Sequence, residues 1–282
     1  AILICCTFAA KSSSDFSQLE TLFTQWRAFE VPPLHQLAPD YRQQTFNKRE
    51  EQWSQFKSKL LSLDKADWTV EQQVDWFVML AELNGYDFNS KVLKPWQRDP
   101  AFYKQVWTYQ SDVPSHEGPT PHYTTELWTY SFPLSANEQL RLATDLSRIK
   151  PLQTQAKANL IGNAKELWIA GIRDIQIQHK NLVDITSQIE NTNNTNLIHA
   201  HTQATQSTQE FITWLKQQTS KKNGPSGLGI EQYTWYQQNV HMVPMTWADE
   251  ERLLRRELDR AWSSLKLEEQ RNKDLPPLVS VK

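Results

Sequence analysis

Cysteine and glycine are both scarce in this chain of 282 residues, and each scarcity excludes a class of protein. The two cysteines, Cys5 and Cys6, lie in the first six residues, so the rest of the chain can form neither a disulfide nor a thiolate metal site. Only 7 glycines occur, and no segment sustains the alternation of Val, Ile and Thr that is typical of strands. The sequence therefore argues against a disulfide-stapled or β-rich fold.

Blocks of like charge are also missing, since 30 basic and 32 acidic residues are spread along the chain for a net charge of −2. This pattern favours neither nucleic acid nor an anionic membrane surface as a partner. No apolar run after the N-terminus is long enough to span a bilayer. The chain lacks a phosphate-binding Gly-Lys-Ser/Thr loop, a nucleophile elbow and a dinucleotide-binding glycine turn, and it contains no complete catalytic constellation.

The N-terminal stretch ILICCTFAA is typical of the end of a signal peptide, with Thr7-Phe8-Ala9 as a cleavage site. We therefore predict a signal-peptide remnant at residues 1–12 and an exported, periplasmic or membrane-anchored protein. A buried N-terminal strand or helix start is the alternative. A lipid anchor on either cysteine fits poorly, because no small residue precedes it. The start at Ala1 and the end at LPPLVSVK predict that the chain belongs to a longer protein.

Helical periodicity dominates the remainder and predicts an all-α fold of long antiparallel helices. A first helix ends before Pro32-Pro33, a second spans about 40–62, and a third starts after Thr69 as N-cap. Ser135 and Glu138 form a capping box for a later helix, which Pro151 ends or kinks. The apolar faces predicted for the first three helices are Phe16, Leu19, Phe23 and Trp26; Phe46, Trp53, Phe56, Leu60 and Leu63; and Val70, Val74, Phe77 and Ala81.

A central helical hairpin is the clearest signal. Apolar residues repeat with 4-3 spacing on both sides of the polar turn NTNNTN, which predicts two long antiparallel helices in contact. The predicted stripes are Trp168, Ile172, Ile175, His179, Leu182, Ile185 and Ile189, and Leu197, His201, Ala204, Thr208, Phe211 and Leu215.

Residues 94–133 interrupt the helical pattern with six prolines and many aromatic residues. This composition predicts an irregular insertion with one or two short helices, pinned to the helical body by its Trp and Tyr side chains. A groove wall or a glycan-binding platform is the alternative for the same aromatic residues.

The histidines do not predict a metal site. His179 and His201 lie on the hairpin stripes, but helical arithmetic offsets them by about 9 Å along the axis, so a core or boundary position is favoured. His116-Glu117 resembles the start of a zinc-protease motif, yet the glycine and prolines that follow forbid the helix that such a motif needs.

The stretch from Ser226 to Trp262 predicts a short helix, an apolar connection and a long charged helix. Thr246 and Asp249 form a capping box, and Glu251 and Arg255 form an i,i+4 pair. The predicted core-facing residues of the long helix are Leu254, Leu258, Ala261 and Leu265.

The segments GIEQYTWY and NVHMVPMTW resemble the bacterial domain of unknown function 885 family. The upstream order of KPWQRDPAFY and PLQTQAKANL, followed by the hairpin, resembles it as well, so that the resemblance spans about residues 16–275. The family looks like exported α-helical zinc metallopeptidases, some of them lipoproteins, whose zinc helix lies C-terminal to these segments.

The resemblance implies that this chain is the N-terminal helical scaffold of such a protein, with peptide as the substrate of the intact protein. It implies zinc in the intact protein but no metal ligand, catalytic residue or cofactor in this chain. Tyr233, Trp235, Tyr236 and His241 are the candidate substrate-binding residues; packing between the hairpin and the last helix is their alternative role.

The predicted organisation is a signal remnant at 1–12, a scaffold domain at 13–275 and a linker at 276–282. Two other functions stay open at this point. One is a non-catalytic extracytoplasmic binding protein that uses segment 94–133, and the other is a structural helical module without a ligand.

Overall fold

The computed structural model describes residues 8–110 and 122–276, with side chains from residue 16 onward. The described chain is mostly helical, which confirms the all-α prediction. It forms two compact units, Ala1–Leu228 and Gly229–Lys282. The scaffold domain predicted over 13–275 extends across both. Residues 1–7 of the predicted signal remnant, the His116-Glu117 segment and residues 277–282 of the predicted linker lie outside the described residues.

The described residues of the first unit form the helices α1 to α9 and two pairs of very short strands. Strands β1 (Leu34–His35) and β2 (Ala38–Pro39) are antiparallel, and strands β3 (Val106–Trp107) and β4 (Thr125–Glu126) are parallel. The helices are α1 (Phe8–Glu30), α2 (Gln43–Ser62), α3 (Val70–Phe88), α4 (Pro95–Arg98), α5 (Ala136–Ser147), α6 (Ile149–Asn159), α7 (Lys165–Asp184), α8 (Thr186–Glu190) and α9 (Thr195–Gln218).

Helices α1 to α3 pack around one aromatic cluster centred on Trp26, which is fully buried. The indole of Trp76 on α3 reaches α2 and donates to the Leu60 carbonyl at 2.9 Å. The prediction of which side of α3 packs was wrong. Val70, Val74 and Phe77 are exposed, because a second stripe of the same helix, with Trp76, Met79 and Leu83, is the one that packs. Phe23 of α1 is likewise exposed, and Leu22 is buried in its place.

The end of α1 is held by Arg49 of α2. Its guanidinium lies 4.3 Å from the centroid of the Phe29 ring and donates to the carbonyls of Phe29, Glu30 and Val31. A cation at this position satisfies carbonyls that a helix leaves unpaired at its C-terminus and complements the negative end of the helix dipole. Arg49 therefore fixes the corner at which the chain leaves α1.

The central hairpin forms as predicted from α7 and α9, with a break at Ile185 that separates the short helix α8. Trp168, Ile175 and Leu182 on one helix and Phe211 and Leu215 on the other are fully buried. The capping box of Ser135 and Glu138 also forms at the start of α5. The chain breaks at Arg148, so that Pro151 lies in the first turn of α6, where its missing donor is harmless.

The described part of segment 94–133 is irregular, as predicted, and is tied to the hairpin by polar groups. Gln178 of α7 accepts through Oε1 from the backbone amides of Gln105 at 2.5 Å and Val106 at 3.1 Å. The side-chain amides of Gln178 and Gln153 both donate to the hydroxyl of Thr208 on α9, at 3.2 and 3.0 Å. All five residues are buried, so this polar layer joins the insertion to α6, α7 and α9.

Gly171 lets the insertion approach α7 closely. A Cβ at this position would lie 2.8 Å from the backbone nitrogen of Ala101 and 2.8 Å from Cβ of Pro100. Such distances are well inside van der Waals contact, so only glycine fits between α7 and the 3₁₀ turn at Pro100–Tyr103.

A clasp at residues 222–226 returns the chain to the start of α7. Lys222 donates to the carbonyls of Leu160 at 3.2 Å and Gly162 at 2.7 Å. The amide oxygen of Asn163 accepts from the backbone of residues 223 and 224. The hydroxyl of Ser226 accepts from the amides of residues 166 and 167 and donates to Glu166 at 2.9 Å. Ser226 thus satisfies the N-terminus of α7, for which the N-cap residue Ala164 has no suitable side chain.

The described part of the second unit contains two helices, α10 (Ile230–Asn239) and α11 (Trp247–Arg271). Gly229 precedes α10 with a φ of 89°, a backbone conformation that residues other than glycine rarely adopt. The capping box of Thr246 and Asp249 starts α11, and the Glu251–Arg255 pair forms at 2.6 Å, both as predicted.

Candidate functional site

The four candidate substrate-binding residues all lie in the second unit, on α10 and in the turn that follows it. The Tyr233 hydroxyl donates to the carboxylate of Glu250 on α11 and accepts from the Gln237 amide at 2.9 Å. The hydrogen bond to Glu250 raises the pKa of Tyr233, so the phenol is held as a neutral donor. This contact joins α10 to the first turn of α11.

Tyr236 and His241, the other pair of candidate residues with a described contact, lie at the end of α10. Their ring centroids are 4.9 Å apart, and the Tyr236 carbonyl accepts from the amides of Val240 at 2.8 Å and His241 at 3.2 Å. These bonds end α10 and fold the turn back, so that the imidazole lies against the phenol ring. The sequence brings the two rings together because a helix C-terminus leaves carbonyls free for such a reversal.

Solvent reaches most of this surface. Tyr233 and Trp235 are each 38% exposed, and no residue of α10 is buried. Tyr233 packs against α11 through its bond to Glu250. Tyr233 lies beside the Glu250 carboxylate, Tyr236 contacts His241, and Trp235 presents its ring on another side of α10. Half-exposed aromatic rings of this kind are suited to binding apolar and amide groups.

The prediction that Leu254, Leu258, Ala261 and Leu265 face a core was wrong. Leu254 is 66% exposed, and none of the residues of α11 is buried. The periodicity shows a face able to pack, but α10 is only 10 residues long and lies beside the first turns of the 25-residue α11. The rest of the face therefore extends beyond the partner that this unit supplies.

The aromatic residues of segment 94–133 mostly pack. Trp96, Phe102, Tyr103 and Tyr130 are buried, and the Tyr103 hydroxyl donates to the Trp96 carbonyl at 2.7 Å. Among the described large aromatic residues of this segment, Tyr109 and Trp128 are the ones that are exposed. The described residues therefore support the prediction that these side chains pack the insertion against the helical body.

The hairpin histidines occupy structural positions, as predicted. His201 is buried, and its Nε2 lies 2.8 Å from the Leu182 carbonyl of α7, while His179 is half-buried at the boundary. Within residues 8–110 and 122–276 no group of three or more His, Cys, Asp or Glu residues could hold a metal ion. The described residues consequently do not fit a zinc centre.

Sequence reasoning missed a half-buried carboxylate at the end of α1. Burial raises the pKa of Glu30 to about 7, and Glu82 adds to the rise while Arg27 and Arg49 oppose it. Arg27 lies between the two carboxylates, 2.7 Å from Glu30 and 3.8 Å from Glu82. No periodic signal marks such a pair, since Glu82 lies far along the chain on α3.

A second titratable cluster lies where the 3₁₀ turn meets α7. Burial raises the pKa of Asp99 to about 6, and Asp174 contributes to the rise. Burial also lowers the pKa of Lys104, whose ammonium is 3.8 Å from Asp174 and 4.0 Å from the centroid of the Trp107 ring. The ammonium of Lys104 pairs with Asp174, and this contact links the insertion to α7.

No described helix has both the length and the apolar character needed to cross a membrane. In comparisons with known proteins, no family model matches the chain, and neither do any curated proteins or solved structures.

Proposed function

We propose that this chain is the N-terminal helical scaffold of an exported zinc-metallopeptidase-like protein, and that α10 contributes a wall of its peptide-binding cleft. The observation that carries the proposal is the half-exposed aromatic patch of α10. The patch lies within the two sequence segments on which the resemblance to the domain of unknown function 885 family rests.

The patch has the chemistry that a peptide cleft requires. Trp235 offers a large aromatic surface to an apolar side chain of a peptide, and Tyr233 and His241 offer polar groups on the same short segment. Glu250 and Gln237 fix the Tyr233 hydroxyl in one orientation, which lowers the entropy lost on binding. These residues would bind and orient a substrate, and none of them is assigned a step of bond cleavage.

Zinc and the catalytic glutamate would come from sequence C-terminal to the segments that resemble the family, where that family has its zinc helix; the described residues of this chain do not fit a zinc site. When bound in the intact protein, zinc would supply an activated water for peptide hydrolysis. The first test is the coding sequence after Lys282. A zinc-binding helix encoded there would support the proposal, and a stop codon at that point would refute it.

A second test measures peptide hydrolysis by the intact protein. We expect Trp235→Ala to raise KM about tenfold with little change in kcat, because the indole contacts substrate away from the reacting bond. Trp128→Ala is the matched control, since Trp128 is 37% exposed in the insertion of the first unit. Loss of binding on Trp128→Ala with none on Trp235→Ala would favour the alternative, an extracytoplasmic binding protein that uses segment 94–133.

A further inference from the structure

The long helix α11 carries an apolar face with no described partner over most of its length. Five residues recur with spacings of 7, 4, 3 and 4, so at 100° per residue they lie within one narrow stripe. These residues are Trp247, Leu254, Leu258, Ala261 and Leu265. The stripe is about 27 Å long at 1.5 Å per residue. Exposed apolar surfaces of this kind mark sites of association.

The polar residues of α11 indicate what kind of surface covers this stripe. The helix has seven acidic and six basic residues, and many pair within the helix, as Arg260 does with Glu257 at 2.8 Å. An anionic membrane or a nucleic acid would favour a basic helix instead. A mixture of both signs fits a protein surface that also has both signs, such as a second copy of this helix.

We propose that α11 pairs in antiparallel orientation with α11 of a second copy of the chain. A twofold axis midway between Leu258 and Ala261 sets the Leu258 side chain of each copy against Ala261 of the other. The same axis sets Leu254 against Leu265. Across the central contact a large side chain then faces a small one, because Ala261 leaves room for Leu258 of the other copy.

The flanking residues agree with this register. In it, Glu250 approaches Arg271 of the second copy, and Arg255 approaches the Trp262 ring of the second copy, which is 54% exposed in the single chain. Glu251 and Glu268 meet at the two ends of the pair, but each already has an arginine partner in its own helix. A parallel pair would instead place Ala261 opposite Ala261 and leave a gap at the centre.

The contact is small, since it involves one helix from each copy, so we expect dimers to form at tens of micromolar chain. Sedimentation of the 282-residue chain over a concentration series tests this. The wild type should shift from one to two chains per particle. Leu258→Asp should abolish the shift, since it buries a charge at the axis, while Leu267→Asp should not. Leu267 is the matched control, because it is 59% exposed against 56% for Leu258 and lies on the opposite side of the helix.

Disulfide trapping tests the orientation. In a Cys5→Ser, Cys6→Ser background, Leu254→Cys and Leu265→Cys chains are mixed and oxidised. The antiparallel pair predicts that the mixed dimer forms faster than either dimer of identical chains. Faster trapping of Leu254→Cys with itself would overturn the proposed register. A wild type that stays monomeric, or a Leu258→Asp variant that still dimerises, would overturn the pairing and leave the stripe to a different partner.

Discussion

One side-chain oxygen, Oε1 of Gln178, accepts the backbone amide of Gln105 at 2.5 Å and also that of the next residue, Val106, at 3.1 Å. All three residues are buried. A loop that enters a helical core cannot pair its backbone with a helix, so its amides need a side-chain acceptor. Gln178 supplies that acceptor from the middle of α7, and the position of the insertion depends on it.

Replacement of Gln178 by leucine should therefore lower the free energy of unfolding by about 2–4 kcal/mol, because it leaves two buried amides unpaired. Urea denaturation measures the change. Gln176→Leu is the control, since Gln176 lies two residues away on the exposed side of α7 and should change stability by at most about 0.5 kcal/mol. Equal stabilities of the two variants would contradict the role given to Gln178.

Gly171→Ala should destabilise the protein by about 1–3 kcal/mol, although alanine is the better helix former, because its Cβ would collide with Ala101 and Pro100. The melting temperature reports the change. Gly227→Ala serves as the comparison, since a Cβ at Gly227 meets nothing within 4 Å. That variant should match or slightly exceed the wild type. A stabilising Gly171→Ala would show that the insertion can move away from α7.

The stability of the protein should fall as pH rises from about 4.5 to about 7, through the contribution of Glu30. Its pKa is raised to about 7 in the folded state, so over this range the folded chain holds a proton that the unfolded chain has released. Glu30→Gln should remove this part of the pH dependence and be more stable than the wild type at pH 8, by about 1–3 kcal/mol.

Urea denaturation at pH 4, 6 and 8 measures this effect. Glu20→Gln on the exposed side of α1 is the control and should follow the wild type. If Glu30→Gln keeps the wild-type slope between pH 4 and 8, then Glu30 titrates normally and the burial argument is wrong.

Thr246→Ala should fray the start of α11, because the hydroxyl of Thr246 accepts the Asp249 amide and the Asp249 carboxylate accepts the Thr246 amide. Loss of this capping box should cost about 0.5–2 kcal/mol locally. Hydrogen exchange at the amides of residues 248–250 should become several-fold faster. Thr246→Ser keeps the hydroxyl and should exchange like the wild type; an equal acceleration in both variants would rule out the cap as the cause.

Periodicity and capping residues were sufficient to predict most of the helices. Thr69, Ser135 and Thr246 each cap the helix that the sequence assigns to them, because a cap is a local interaction among neighbouring residues. The central hairpin was also predicted correctly, since both of its stripes are long and regular.

The faces of the helices were less predictable than the helices themselves. Helix α3 has two apolar stripes, and only the packing of α1 and α2 decides that Trp76 is buried and Phe77 exposed. The stripe of α11 is regular, yet a spacing pattern cannot show whether the chain supplies a partner for it.

The functional residues also include some that the sequence could predict and others that it could not. The aromatic patch of α10 could be named from the sequence, because its residues are neighbours in the chain. Gln178, Glu30 and Gly171 could not be identified from the sequence because each has partners far along the chain, namely Gln105, Glu82 and Ala101. No local pattern carries such information.

The clasp at residues 222–226 has a consequence for protein engineering. The chain is tied down as far as Ser226, and α10 begins at Ile230, whereas a methyl group added at Gly227 or Gly229 would meet no atom within 4 Å. An epitope tag or a protease recognition sequence inserted between Gly227 and Leu228 would enter the chain beside the open space at Gly227. Such an insertion offers a handle for releasing the α10–α11 pair from the rest of the molecule on demand.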